Sequence, residues 1–206
     1  QTNGILLDDP WCRFFRDHRF LVGVSLDGPR ALHDRYRGGF DATWRGIRRL
    51  RAWGVPFNLL ATVNAATADH PEEVYDFLAG TSEGIQFLPV VERKASGEGM
   101  TEDSVEPEAY GRFLCRVWDR WRSRDVGRVF VTTFEAALNQ MVGRPAGICV
   151  HEPTCGHAVS VEAGGEVCAC DRFPGDRYGL GNLLTTPLEE RLERNRSSGT
   201  HKAEGL

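Results

Sequence analysis

The chain has 206 residues, 41% apolar, 26% charged and 10% aromatic, the composition of a soluble globular protein large enough for one big or two small domains. Its 25 basic and 29 acidic residues leave a net charge of −4 at pH 7, so bulk charge gives no support for a nucleic acid partner. No apolar run approaches the roughly 18 residues of a membrane span. The chain opens on Gln1-Thr2-Asn3-Gly4 without an apolar signal region, and it is expected to start inside a longer protein.

In chain order, Phe20 to Ser25 is an apolar run closed by Leu26-Asp27-Gly28-Pro29, which predicts a buried parallel-type strand and an abrupt turn. Trp44, Ile47, Leu50 and Trp53 recur at helical spacing between Asp41 and Trp53, with arginines opposite and Gly54 at the close, so this segment predicts an amphipathic helix. A strand over Pro56 to Val63, a polar loop to His70, a helix over Pro71 to Leu78 and a strand over Ile85 to Val91 repeat the unit. The alternation predicts a parallel α/β sheet or barrel, whose chemistry belongs at the strand C-termini. That rule selects Ser25, Asp27, Asn64, Pro89, Glu92 and Arg93, any of which could equally be a loop or helix-cap residue.

Lys94 to Glu106 is rich in Gly, Ser and acids and predicts a mobile connection of lid or binding-loop length. Glu108 to Arg122 and Phe134 to Val142 predict helices, with Cys115 packed beside the apolar stripe of the first. Beyond Cys149 the pattern alternates over His157 to Glu162, turns at Ala163-Gly164-Gly165 and alternates again over Glu166 to Cys170, which predicts a hairpin. Arg191 to Leu206 is polar, without aromatics, and is expected to fray.

Six cysteines are unevenly placed: Cys12 and Cys115 stand alone, while Cys149, Cys155, Cys168 and Cys170 fall within 22 residues. A secreted disulfide scaffold would spread its thiols more evenly, so metal or iron–sulfur ligation in a reducing, cytoplasmic compartment is expected. The gaps of five, twelve and one residues depart from common zinc-finger forms, but spacing alone leaves zinc and iron–sulfur open. His151 and His157 flank Cys155 as possible zinc ligands or outlying residues. Asp171, next to Cys170, would be held close to a metal and could move a proton, or it could be a turn acid.

Several stretches together resemble the anaerobic sulfatase-maturating enzymes, a radical S-adenosylmethionine family with a SPASM-type region. They are Gln1-Thr2-Asn3-Gly4, Val24-Ser25-Leu26-Asp27-Gly28-Pro29, His33-Asp34-Arg35-Tyr36-Arg37, Thr62-Val63-Asn64 and Gln86-Phe87-Leu88-Pro89-Val90-Val91-Glu92-Arg93. Cys149, Cys155-Gly156, Gly165-Glu166-Val167, Cys170-Asp171 and Leu180-Gly181-Asn182 continue the resemblance in order. It implies a partial (β/α) radical SAM barrel over residues 1–145, a small cysteine-rich SPASM-type β-hairpin module over 146–190 and a frayed tail over 191–206.

The same resemblance implies oxidation of a Cys or Ser in a sulfatase polypeptide to Cα-formylglycine, with S-adenosylmethionine and [4Fe-4S] clusters as cofactors. An electron donor such as flavodoxin or ferredoxin is the further partner, with no nucleic acid and no membrane. Asp171 takes the role of proton acceptor, Cys149, Cys155 and Cys170 those of auxiliary-cluster ligands, and Ser25, Asp27, Asn64 and Leu88 those of cofactor-binding residues. Glu92 and Arg93 would orient the peptide or close the rim through a salt bridge.

The chain departs from the family pattern in lacking the three-cysteine radical-cluster motif and any cysteine after Cys170, and in carrying Cys168. It therefore reads as the middle of a maturase, inactive alone, and the function expected is that of the intact parent. Two alternatives stand beside this reading: another SPASM-type peptide-modifying radical enzyme, and a non-enzymatic zinc-stabilised module that binds a protein.

Overall fold

A computed structural model describes residues 1–152, 159–170 and 178–197. The chain divides into two compact units, Gln1–Glu135 and Ala136–Leu206.

The first unit is built on a four-stranded, all-parallel sheet of order β1-β2-β3-β4, with β1 Val22–Ser25, β2 Phe57–Val63, β3 Gly84–Pro89 and β4 Phe130–Val131. The register pairs Ser25 with Leu60, and Thr62 with Leu88. Helices α1 (Asp9–Asp17), α2 (Arg30–Tyr36), α3 (Phe40–Ala52), α4 (Pro71–Ala79) and α5 (Pro107–Arg124) lie between or beside the strands in sequence. Strands β1 to β3 and the helices α3 to α5 fall within a few residues of their predicted positions, while β4 was not predicted.

The strands do not run as uniformly buried segments. Burial alternates: Val22, Val24, Leu59, Ala61, Val63, Ile85 and Phe87 are buried, while Gly23, Asn58, Leu60, Thr62, Gln86 and Leu88 are half-buried. Successive strand side chains point to opposite faces, so one face carries the core and the other stays partly open. Ile47 and Leu50 of α3, Val74 and Leu78 of α4, and Phe113, Val117 and Trp121 of α5 are also buried. Phe87 meets Phe113 edge-on at 5.2 Å between ring centroids.

Local chemistry sets the helix ends. Asp8 caps α1 by accepting from the Trp11 N–H at 2.9 Å, and Asp34 accepts from the Phe40 N–H at 2.9 Å at the start of α3. Gly46 lies against the carbonyl of Gly4, where any side chain would collide, so this close approach requires glycine. Helix α1 keeps Trp11, Phe14 and the following Phe20 substantially exposed and buries only Cys12.

The segment after β3 is more ordered than a mobile connection. The Val105 N–H donates to the Val90 carbonyl at 3.0 Å, Thr101 N–H to Glu92 at 2.8 Å and Ala65 N–H to Asp103 at 3.1 Å, while Arg93 and Met100 form an antiparallel bridge. These bonds tie the loop to the ends of β2 and β3.

Helix α6, Thr132–Met141, spans the division between the units. In the second unit a short helical turn at Cys149–His151 precedes a three-stranded antiparallel sheet of β5 Ser160–Val161, β6 Glu166–Cys168 and β7 Gly179–Asn182. The predicted β5–β6 hairpin is present, with Ser160 opposite Cys168, and β7 joins it. Helix α7, Leu188–Ser197, occupies the first part of the segment expected to fray, and residues 198–206 lie outside the described residues. It is held by Arg191, buried to 2% exposure, whose guanidinium donates to the carbonyls of Leu180, Asn182 and Thr186. Half-buried backbone acceptors satisfied by a buried cation hold a polar helix that has no broad apolar stripe.

Candidate functional site

The C-terminal ends of β1, β2 and β3 form one rim. Its centre is Asp27, fully buried at 0% exposure just beyond β1. One carboxylate oxygen, Oδ1, accepts from the Thr62 N–H and Oγ1, each at 2.8 Å, and from Arg37 Nη2 at 3.1 Å. The other, Oδ2, accepts from Arg37 Nε at 2.9 Å. The buried charge is thus matched by a cation, which gives two of the four bonds, and by the N–H and O–H of Thr62, the condition under which a carboxylate can be carried into an interior.

His33 of α2 completes this hub. Its Nδ1 accepts from the Asp27 backbone N–H at 3.2 Å, so the ring is neutral with its proton on Nε2, and Nε2 has no hydrogen-bond partner among the described residues. Burial lowers the imidazole's proton affinity, opposed by the carboxylate of Asp27 4.0 Å away. Gly28, at φ +140°, makes the turn possible and lies against Val74, where only glycine fits without strain.

Ser25 and Asn64 differ from Asp27 in what they leave open. Ser25 is nearly buried at the end of β1, and its hydroxyl has no hydrogen bond among the described residues. Asn64 Oδ1 accepts from the Thr67 N–H at 2.8 Å and Oγ1 at 2.9 Å, whereas its amide nitrogen has no partner among the described residues. Leu88, opposite Thr62 in the sheet register, is half-buried on the open face. The rim therefore presents a hydroxyl, an amide donor and an apolar side chain on three neighbouring strand ends.

Glu92 accepts from the Tyr36 hydroxyl at 2.8 Å, and among the described residues it forms no ion pair with Arg93. The rim is thus closed here by a tyrosine, in place of the expected salt bridge. Burial and this bond push Tyr36 up to about 12. Thr62, His33, Tyr36 and Arg37 had no individual role in the sequence reading. The available signal was the i, i+4 pair His33 and Arg37 on a short helix directly after the Asp27 turn.

The thiols are less gathered. Cys149 is exposed, Cys168 is buried in β6 and Cys170 is half-buried. Cys155, His157 and Asp171 lie outside the described residues. Among the described residues no group of three His, Cys, Asp or Glu side chains stands close enough to hold a metal ion.

A parallel sheet with unpartnered polar groups at its C-terminal rim defines an α/β protein of the ligand-binding kind. No protein-family model matches the chain. The chain is homologous over its whole length to part of the anaerobic sulfatase-maturating enzymes. It is 39% identical to the serine-type enzyme of Bacteroides thetaiotaomicron, over 100% of this chain and 55% of that protein. Identity to the serine-type enzyme of Klebsiella aerogenes is 38%, over 89% of this chain and 47% of that protein, and to the cysteine-type enzyme of Clostridium perfringens 29%, over 96% and 56%.

The solved structure of native anSMEcpe with bound AdoMet superposes with a TM-score of 0.82 at 29% identity, covering 96% of this chain and 57% of that one. The same protein with AdoMet and the Cp18Cys peptide gives a TM-score of 0.81. The chain thus spans about half the length of the curated relatives it matches. No helix among the described residues is long and apolar enough to cross a membrane.

Ser25, Asn64 and Leu88 are the rim residues that could hold a cofactor, through a hydroxyl, an amide donor and an apolar side chain. Among the described residues the thiols assemble no ligand set for an auxiliary cluster.

Proposed function

We propose that the intact protein is a radical S-adenosylmethionine enzyme that oxidises a serine or cysteine of a sulfatase polypeptide to Cα-formylglycine. The observation that carries this reading is the pair of unpartnered groups, Ser25 Oγ and Asn64 Nδ2, on adjacent strand ends of a sheet that superposes on AdoMet-bound relatives. Ser25, Asn64 and Leu88 would hold the cofactor, which when bound and reduced supplies a hydrogen-abstracting 5′-deoxyadenosyl radical. Asp27 is fully buried with both carboxylate oxygens bonded within the protein, so it serves by fixing the rim: it holds Arg37 and stitches the β1 loop to Thr62.

After hydrogen abstraction the substrate carbon must lose an electron and a proton to become a carbonyl or thiocarbonyl. Asp171 is assigned the proton, on its position beside Cys170 in the family resemblance. Cys149, Cys155 and Cys170 are assigned to an auxiliary iron–sulfur cluster on the same basis, with a SPASM-type module built on β5 to β7. The chain's own part in the reaction is to seat the cofactor and peptide at the open rim and exclude water from the reacting carbon.

The test is to purify the full-length protein without oxygen and incubate it with S-adenosylmethionine, a reductant and sulfatase-site peptides carrying Ser or Cys. Serine is the first target to try, because identity to the serine-type relatives is 38–39% against 29% for the cysteine-type one. An aldehyde trapped by a hydrazine reagent is the expected product. An intramolecular crosslink in place of the aldehyde would overturn the assignment.

A further inference from the structure

At the N-terminal ends of β2 and β3, opposite the rim, lies a cavity of about 450 Å³. That volume falls in the range of small-molecule sites, roughly 300–1,000 Å³. Its floor is opened by a glycine: Asn58 lies across Gly84, where any Cβ would fall 2.1 Å from the Asn58 Oδ1. Asn58 is half-buried, and its carboxamide has no hydrogen-bond partner among the described residues.

The wall carries charge of both signs. Arg51 is held there by the Thr81 carbonyl, to which its Nη2 donates, and its guanidinium lies 5.9 Å from the ring centroids of both Trp44 and Phe57. Glu83 lines the same cavity, and neither it nor Arg51 enters an ion pair among the described residues. Leu21, 61% exposed, and Phe57 supply an apolar surface beside them. The smaller cleft on α3, about 280 Å³, differs in kind: Arg45, Arg48, Arg49 and Ala52 line it, which gives charge of one sign and almost no apolar wall.

This combination selects a chemical class. A simple anion would meet Arg51 but be repelled by Glu83, and a simple cation would meet the reverse. A zwitterion satisfies both, with the guanidinium fork matched to its carboxylate. The Asn58 carboxamide can donate to that carboxylate or accept from an ammonium. Leu21 and Phe57 favour a hydrocarbon body.

We infer that this cavity binds a free α-amino acid with an apolar side chain, its carboxylate on Arg51, its ammonium on Glu83 and its side chain against Leu21 and Phe57. The site is separate from the rim, and the inference does not depend on the maturase reading.

The test is calorimetric titration of the full-length protein with L-leucine, with and without saturating S-adenosylmethionine, which carries an α-amino acid group of its own and fills the rim. Leucine should bind with a Kd of about 1 mM or tighter under both conditions. Leucinamide, N-acetyl-leucine and glycine lack the carboxylate, the ammonium and the apolar side chain in turn. Each should bind about three- to tenfold more weakly.

Arg51→Met should erase the difference between leucine and leucinamide, and Glu83→Gln that between leucine and N-acetyl-leucine. The Glu83 side chain bonds no protein group among the described residues, so Glu83→Gln keeps the fold and decides the matter even where Arg51→Met melts early. Thermal melts of both variants are the fold control. No saturable heat up to about 20 mM leucine, or equal affinity for all four compounds, would overturn the inference. So would a leucine signal that S-adenosylmethionine abolishes, which would place the amino acid at the rim, or a preference for the free ammonium that survives in Glu83→Gln.

Discussion

The backbone N–H of Thr62 donates to Asp27 Oδ1 at 2.8 Å, so the loop leaving β1 is fastened to the neighbouring strand by a fully buried carboxylate. Thr62 Oγ1 and two Arg37 nitrogens meet the same side chain. The rim is therefore one hydrogen-bonded piece, and its open donors, on Ser25 and Asn64, inherit fixed positions from it.

Asp27→Asn should be costly. It removes the charge paired with Arg37 and puts an NH2 group where four donors now converge, and the loss of one member of a largely buried pair costs about 2–4 kcal/mol. Urea denaturation should show a lower midpoint at unchanged slope, and equilibrium dialysis a weakened affinity for S-adenosylmethionine. A stability within experimental error of the parent would contradict the hub.

Ser25→Ala should separate binding from folding. Its hydroxyl bonds no protein group among the described residues, so stability should stay within about 0.5 kcal/mol while S-adenosylmethionine affinity falls about two- to tenfold. Asn64→Ala should weaken both, because it also strips the cap from the Thr67 N–H. Calorimetric titration and thermal melts run side by side distinguish the two residues.

His33 carries a pH dependence of definite sign. Burial holds its folded-state proton affinity below that of an ordinary imidazole, about 6.5, so the unfolded chain binds the proton more readily. The stabilisation is present above about pH 6.5 and is lost as the pH falls below it towards the folded-state value. Protonated Nδ1 would face the Asp27 N–H donor to donor. Stability measured from pH 7.5 to 5 should decline, and His33→Asn, which keeps an acceptor near the Nδ1 position, should flatten that decline. An unchanged slope in the variant would show that another group titrates.

Arg191→Met tests the second unit. The change keeps the bulk but leaves the carbonyls of Leu180, Asn182 and Thr186 without their donor, a loss of about 2–4 kcal/mol. Hydrogen exchange should quicken at the β6–β7 amides while those of β2 and β3 keep their protection. Uniform protection throughout would indicate that backbone bonds alone hold the small sheet.

Asp171→Asn in the full-length protein should spare iron content and S-adenosylmethionine cleavage while lowering aldehyde yield by about tenfold or more, the usual scale for removing a positioned proton acceptor. Parallel loss of cleavage and aldehyde would assign Asp171 a structural part.

Helices α3, α4 and α5 were legible from apolar residues at helical spacing or from start signals, and strands β1 to β3 from short apolar runs bounded by turn or loop residues. Helix α1 was not: its aromatic residues are largely exposed and Cys12 is its only buried side chain, so no core-facing stripe marks it. Helix α2 spans only Arg30–Tyr36, and β4 only Phe130–Val131, too short for any period to register. Helix α7 is polar on nearly all sides and is organised by Arg191, a residue that composition assigns to solvent.

The amino-acid sequence by itself determined the alternation of strand and helix, and with it the end of the sheet where the polar residues collect, because hydrophobic period and turn chemistry are local properties. Only the tertiary structure decided which of those residues remain available. Asp27 is consumed by Thr62 and Arg37, Ser25 and Asn64 keep open donors, and Glu92 meets Tyr36 in place of Arg93. Those differences depend on hydrogen bonds between residues far apart in the chain, whose partners are chosen by strand register and loop closure rather than by neighbours in sequence.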